Sequence, residues 1–218
     1  MQRPADIIFD LDDTLLDTSA VLLPMALDDI EARLGAWGIR LPSLWRQTRG
    51  PGWFDELAAR EQLTVDQLRE IKGLFFRRAD AISHLPESAF PLRPSAPELL
   101  AALADAMGRA DLTLLTAGDR ATQLCKLERT GLSRLPWAQV IIVERPEDKA
   151  LAFDQLVRPG KSIWSVGNRF STDLAPASER GALVCLIRHG EHIDESVGEI
   201  TVDAECKDAV EFLKEAWR

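Results

Sequence analysis

Short apolar runs recur along the chain, each ending in polar or glycine-containing residues: IIFDL (7–11), LTLLT (112–116), VIIV (140–143), IWSVG (163–167) and ALVCLI (182–187). Runs this short, without polar alternation, predict strands buried on both faces, as in a parallel sheet covered by helices. Helical patterns lie between them. Ser95-Ala-Pro-Glu98 has capping-box spacing, with Pro97 tolerable in the first turn, and the alanine- and leucine-rich run after it stops near Gly108. A second helix is predicted from Asp119 to Gly131, a glycine suited to a left-handed C-terminal turn. A third runs from about Glu147 until Pro159-Gly160 ends it. Val210, Leu213 and Trp217 give a helical stripe near the C-terminus. Such alternation implies an α/β, doubly wound, mostly parallel sheet.

The gap between the first run and LTLLT breaks this alternation. There Leu23, Leu27, Ile30 and Leu34 share one helical face, and Thr64 with Gln67 can cap a helix carrying Leu68, Ile71 and Phe75. RGPGW (49–53) reads as a turn. The expected organisation is a core of residues 1–18 and 92–218 with a helical cap inserted over 19–91.

Composition narrows the function. A hydrophobic content of 46% in 218 residues can build a real core, and a formal charge of −9 argues against non-specific binding to nucleic acid or an anionic membrane. Cys125, Cys185 and Cys206 have no paired metal or redox spacing, so reduced structural thiols are expected. With no basic leader or long apolar segment before the first run, a soluble cytoplasmic protein is expected, as a monomer or weak homodimer.

The chemistry gathers at strand ends. In an open α/β sheet, ligands collect at the carboxyl ends of strands, and FDLDDTL (9–15) puts Asp10 and Asp12 at such an end. Two carboxylates there would repel unless a divalent cation shared them, and oxygen-only ligands favour Mg²⁺. Thr116, Ala117 and Gly118 end another run just before a predicted helix, so that hydroxyl and the neighbouring amides could hold a phosphate. Lys149 follows VIIV, and Asn168 and Asp173 follow IWSVG, adding a cation and two more oxygen ligands. A metal, a carboxylate nucleophile, a hydroxyl donor and a cation suit phosphoryl transfer.

In these four motifs, in order, the chain resembles the haloacid dehalogenase superfamily: FDLDDTL, Thr116, Lys149 and VGNRFSTDL (166–174). The resemblance implies a Rossmann-like core with a helical cap, and a Mg²⁺-dependent phosphatase acting on a small phosphorylated metabolite. Asp10 would be the nucleophile that becomes an aspartyl-phosphate, and Asp12 the acid and base. Thr14 would fix the loop beside the substrate, Thr116 would hold a phosphoryl oxygen, and Lys149 would offset charge. Mg²⁺ would be held by Asp10, the Asp12 backbone carbonyl and the fourth motif. Asp12 favours phosphatase over dehalogenase, since dehalogenase members generally lack an acid two residues after the nucleophile. Asn168 departs from the aspartate of many members, so Mg²⁺ binding is expected to be weaker unless Asp173 moves in or acts through water. Alternatives are a phosphomutase of the same superfamily, or a non-catalytic binding protein keeping the fold.

Other residues carry simpler readings. Asp13 is expected to face solvent or cap a turn, Lys126 to lie inside a helix, and Lys161 to precede a strand at the opposite edge from the site. LIRHGEH (186–192) looks like the start of a histidine phosphatase, but His192 is the only later histidine, so the match reads as chance. Trp37, Trp45 and Trp53 in the cap can pack its core, while Arg46 and Arg49 could grip an anionic or aromatic leaving group.

Overall fold

Ile7 and Phe9 have no solvent exposure and Ile8 almost none, because strand β1 (Asp6–Phe9) lies at the centre of a sheet covered on both faces. It is flanked in parallel by β2 (Asp111–Ala117), with Phe9 opposite Leu114, and by β4 (Ile163–Gly167), with Phe9 opposite Val166. The computed structural model describes residues 4–42, 52–85, 92–190 and 200–217. Among these, six strands form one parallel sheet in the order β3 (Gln139–Val143), β2, β1, β4, β5 (Leu183–Ile187), β6 (Ala204–Cys206). The chain builds outward to one side of β1 and then to the other, so the order reverses beside β1 and leaves a crevice beyond its carboxyl end.

The sheet's two faces separate by the alternation of side chains along each strand. On one face Ile8, Leu115, Ile163, Val184 and Leu186 pack with Phe153 of α7 (Lys149–Leu156), with Phe170 and Leu174 of a π-helical turn, and with Ala177 of α8 (Ala175–Ser178). On the other, Phe212 of α9 (Ala209–Ala216) meets Phe9 edge-on at 6.2 Å and Trp164 at 5.3 Å between ring centroids. The expectation of strands buried on both faces fails for β3. An edge strand has a neighbour on one side only, and Gln139 and Val140 stay exposed.

The remaining helices are α1 (Thr18–Ala36), α2 (Trp53–Arg60), α3 (Val65–Phe76), α4 (Ala79–His84), α5 (Ala96–Met107) and α6 (Arg120–Thr130). Asp119 caps α6 by accepting from the Thr122 amide at 2.9 Å, and Gly131 ends it with φ of 77°. Thr64 and Gln67 form the expected reciprocal box on α3. Ser95 occupies the cap position of α5, but its side chain makes no capping bond, a correction to the box expected there.

The chain divides into two compact units, residues 1–19 with 79–218, and residues 20–78. The smaller has its own core of Leu27, Ile30, Leu34, Phe54, Leu57 and Ile71, with Trp37, Trp53 and Phe75 against it, and Trp53 stacks on Phe54 at 3.9 Å. Packing thus accounts for Trp37 and Trp53. Whereas the cap was expected to run to residue 91, α4 packs against α6 in the larger unit. No described helix is long and apolar enough to cross a membrane.

Candidate active site

Asp10 follows the last residue of β1, and its amide donates to the Val166 carbonyl at 3.0 Å, tying the start of the loop to β4. Its carboxylate is 91% removed from solvent and lies 2.6 Å, through Oδ1, from Nζ of Lys149. Thr14 Oγ1 donates to the other oxygen at 3.2 Å. Lys149 is the first residue of α7, and its buried ammonium also lies 2.6 Å from Asp173 Oδ1. Asp173 is held from its own loop by the Arg169 amide on Oδ2 at 3.0 Å and the Thr172 hydroxyl on Oδ1 at 3.3 Å. Gly167 makes this approach possible: a Cβ there would sit 2.5 Å from that of Asp173.

Asp12 is served from a different element. Lys126 Nζ lies 2.7 Å from its Oδ1, which also accepts from the Thr18 hydroxyl, and Gln123 Nε2 donates to its Oδ2 at 2.8 Å. The same Gln123 nitrogen is 2.8 Å from Thr116 Oγ1 and 2.8 Å from the Ala117 carbonyl. Both Gln123 and Lys126 sit on the buried face of α6, which Asp119 starts immediately beyond β2.

These surroundings drive the two carboxylates in opposite directions. For Asp10, burial outweighs the attraction of Lys149, and Asp173 and Asp12 add repulsion, so its carboxyl is pushed up to about 7. For Asp12, burial is outweighed by the Lys126 charge and by hydrogen bonds from Gln123, Lys126 and Thr18, so its carboxyl lies below the usual range. Burial disfavours the Lys149 ammonium, yet Asp10 and Asp173 together hold its pKa above that of an ordinary lysine. The divergence follows from unequal surroundings: two buried carboxylates share Lys149, whereas Asp12 has Lys126, Gln123 and Thr18.

A family model for the haloacid dehalogenase-like hydrolases matches residues 7–181, a span holding every one of these groups. The chain belongs to that family. No curated protein sequence matches it. Among solved structures it is similar to a HAD phosphatase from Thermococcus onnurineus, at 20% identity over 98% of this chain and 97% of that one, with a TM-score of 0.65. It is also similar to YfnB from Bacillus subtilis, solved bound to magnesium, at 18% identity over 99% and 98%, with a TM-score of 0.65. A haloacid dehalogenase-like protein from Streptococcus pneumoniae gives 21% identity over 97% of both chains and a TM-score of 0.65. At these identities the likeness is one of fold.

Of the residues singled out in the sequence, Asp10, Thr14, Lys149 and Asp173 form one contact group, and Asp12 and Thr116 are joined through Gln123 in another. Asn168 is buried at the end of β4 and donates through Nδ2 to the His189 carbonyl at 3.1 Å. Gly118 offers no free amide, because its N–H donates to the Val143 carbonyl at 2.9 Å, a correction to the phosphate cradle expected from it. Arg46 and Arg49 lie outside the described residues. Lys161 pairs with Asp6 at 3.1 Å, at the far end of β1.

Three further residues depart from expectation. Lys126 is inside a helix as predicted, but its side chain reaches Asp12. Asp13 does not face solvent: it is buried, with φ of 58°, and accepts from the Ser19 amide at 2.8 Å and from the Ser19 hydroxyl, so it caps the start of α1. His189, in the motif dismissed as chance, places Nε2 2.9 Å from Asp17 Oδ1.

Proposed function

We propose that the protein is a Mg²⁺-dependent phosphomonoester hydrolase that turns over a small phosphorylated metabolite through an aspartyl-phosphate on Asp10. The observation that carries this reading is the buried Lys149 ammonium 2.6 Å from the Asp10 carboxylate, because transfer of a phosphoryl group to that carboxylate would call for one fixed positive charge beside it. In the first transfer an Asp10 oxygen bonds to phosphorus as the bond to the leaving oxygen breaks, and that oxygen takes a proton from Asp12, whose carboxyl gains it once the bound phosphate dianion opposes the Lys126 charge. In the second, Asp12 takes a proton from water as the water oxygen bonds to phosphorus and the Asp10 to phosphorus bond breaks. Thr116 donates its hydroxyl to a phosphoryl oxygen, and Thr14 orients Asp10.

The residues present fit a hard divalent cation. Asp10 and Asp173 are both buried against a single lysine, which leaves one negative charge uncompensated. The available donors are oxygens: the Asp10 carboxylate, the Asp12 backbone carbonyl and the Asn168 side-chain oxygen, whose amide nitrogen is already committed to His189. Asp173 already receives Lys149, Thr172 and the Arg169 amide, so Asn168 is assigned as the direct ligand and Asp173 as the group that holds Lys149. Magnesium bound there would offset phosphate charge and orient the phosphoryl group. A cytoplasmic setting is supported by the three cysteines being free thiols.

Turnover tests the reading. Purified protein with Mg²⁺ should release phosphate from at least one member of a broad phosphomonoester panel, and Asp10→Asn should abolish that release. No hydrolysis across the panel, or full activity in the variant, would sink it. Conversion of a sugar 1-phosphate to its 6-phosphate without free phosphate would instead select the mutase.

A further inference from the structure

We propose that Lys126 and Gln123 are positioning residues that aim the Asp12 carboxyl at the leaving oxygen, and that Gln123 sets its distance from the phosphoryl-holding Thr116. This rests on the phosphatase reading above. Neither residue belongs to the four motifs on which the family resemblance was built, and neither is placed to touch substrate. Lys126 has a side chain only 7% exposed, whereas the Asp12 carboxylate is 30% exposed, so the lysine acts through the aspartate.

Three observations converge. Burial of an ammonium is costly unless it is paired, and Lys126 spends its burial on Asp12 Oδ1 at 2.7 Å. Gln123, one helical turn earlier, takes the other oxygen at 2.8 Å, so the carboxylate is gripped at both ends and its plane is fixed. The same Gln123 nitrogen lies 2.8 Å from Thr116 Oγ1, which joins the proton donor to the phosphoryl-binding hydroxyl through a single side chain. Gln123 Oε1 meanwhile is buried without a hydrogen-bond partner among the described residues. A buried acceptor left unsatisfied is unfavourable, and such groups call for an explanation. Orientation of the amide nitrogen toward Asp12 and Thr116 supplies one.

The consequence is selective. Proton transfer to the leaving oxygen matters for an alkoxide, which leaves poorly unprotonated, and little for p-nitrophenolate, which departs as the anion. A misaimed Asp12 therefore slows the first transfer from an alkyl ester and spares the activated ester. A merely structural contact between α6 and the loop would slow both alike.

The experiment is single-turnover release of the leaving group, which reads the first transfer alone, from β-glycerol phosphate and from p-nitrophenyl phosphate with Mg²⁺. Lys126→Met and Gln123→Leu should slow glycerol release about 10²-fold, the scale of general acid catalysis, and slow p-nitrophenolate release less than about fivefold. Lys126→Arg should recover most of the loss. Equal slowing of both esters, or none, would overturn the proposal. If Lys126→Met fails to fold, Gln123→Leu, which keeps the side-chain volume, decides alone. A wild-type protein that releases neither leaving group would instead mark failure of the phosphatase reading.

Discussion

Asp10 and Asp12 stand two residues apart on one loop, each within 2.7 Å of a buried lysine, yet one carboxyl is pushed up to about 7 and the other held below its ordinary range. The difference lies in how many carboxylates each lysine serves. Lys149 is shared between Asp10 and Asp173, both almost fully buried, and cannot satisfy two charges at once. Lys126 faces Asp12 with Gln123 and Thr18 beside it, and Asp12 keeps part of its side chain in solvent. A carboxylate's charge is thus set by the ratio of cations to anions around it and by burial, not by a nearby lysine alone. Under the proposed phosphatase reading both outcomes have a use: Asp10 stays short of positive charge until a cation arrives, and the Asp12 anion is stabilised when its carboxyl gives up a proton.

Removal of each lysine should break this contrast most strongly. Lys149→Met strands two buried carboxylates, and a loss of about 3–5 kcal/mol in unfolding free energy is expected in urea. Lys126→Met should cost distinctly less, because Asp12 can rehydrate through its exposed edge. Equal losses would mean that the two environments are not different in kind.

Aspartate replacements should then differ in sign. The folded-state pKa of Asp10 is raised, so its contribution to stability is fully present below the unfolded value near 3.8 and is lost as pH rises through about 7. Asp12 is depressed, so its contribution is present above that unfolded value and is lost as pH falls through the folded one. Without metal at pH 8, Asp10→Asn should therefore raise Tm by several degrees, with the gap closing toward pH 4, and Asp12→Asn should lower it. Thermal unfolding from pH 4 to 8 in EDTA checks both signs.

The last expected effect is the cation's own. Mg²⁺ at about a hundred times its Kd should stabilise the wild type by about 2.7 kcal/mol. Asn168→Ala should shift that midpoint to higher Mg²⁺, and Asp10→Asn should remove the response. An unchanged midpoint in Asn168→Ala would return direct ligation to Asp173.

Much of this was legible in the sequence, for physical reasons that also explain the gaps. The runs around Ile7, Leu114, Val166 and Val184 could be read as strands because both faces of a central strand must be apolar. Strand β6 escaped notice because Ala204–Cys206 is three residues long with an exposed Glu205 at its centre. Asp10 and Thr116 were legible at the carboxyl ends of strands and Lys149 at the start of the helix after VIIV, where the structure has them. Lys126 was not, because a lysine inside a helix is ordinarily solvated. Its signal was the buried face it shares: Thr122, Gln123, Lys126 and Leu127 recur at helical spacing, a stripe with long polar side chains where apolar ones are usual, directly after the strand that carries Thr116. Asp13 misled for a related reason, since a third acid in a loop looks solvated until the start of α1 is seen to need its cap.

Acid quenching during turnover tests the central claim most directly. With p-nitrophenyl [³²P]phosphate and Mg²⁺, quenched wild-type protein should carry label that hydroxylamine releases, as an acyl phosphate requires, and Asp10→Asn should carry none. Turnover without protein-bound label in the wild type, or label that persists in Asp10→Asn, would contradict an aspartyl-phosphate on Asp10.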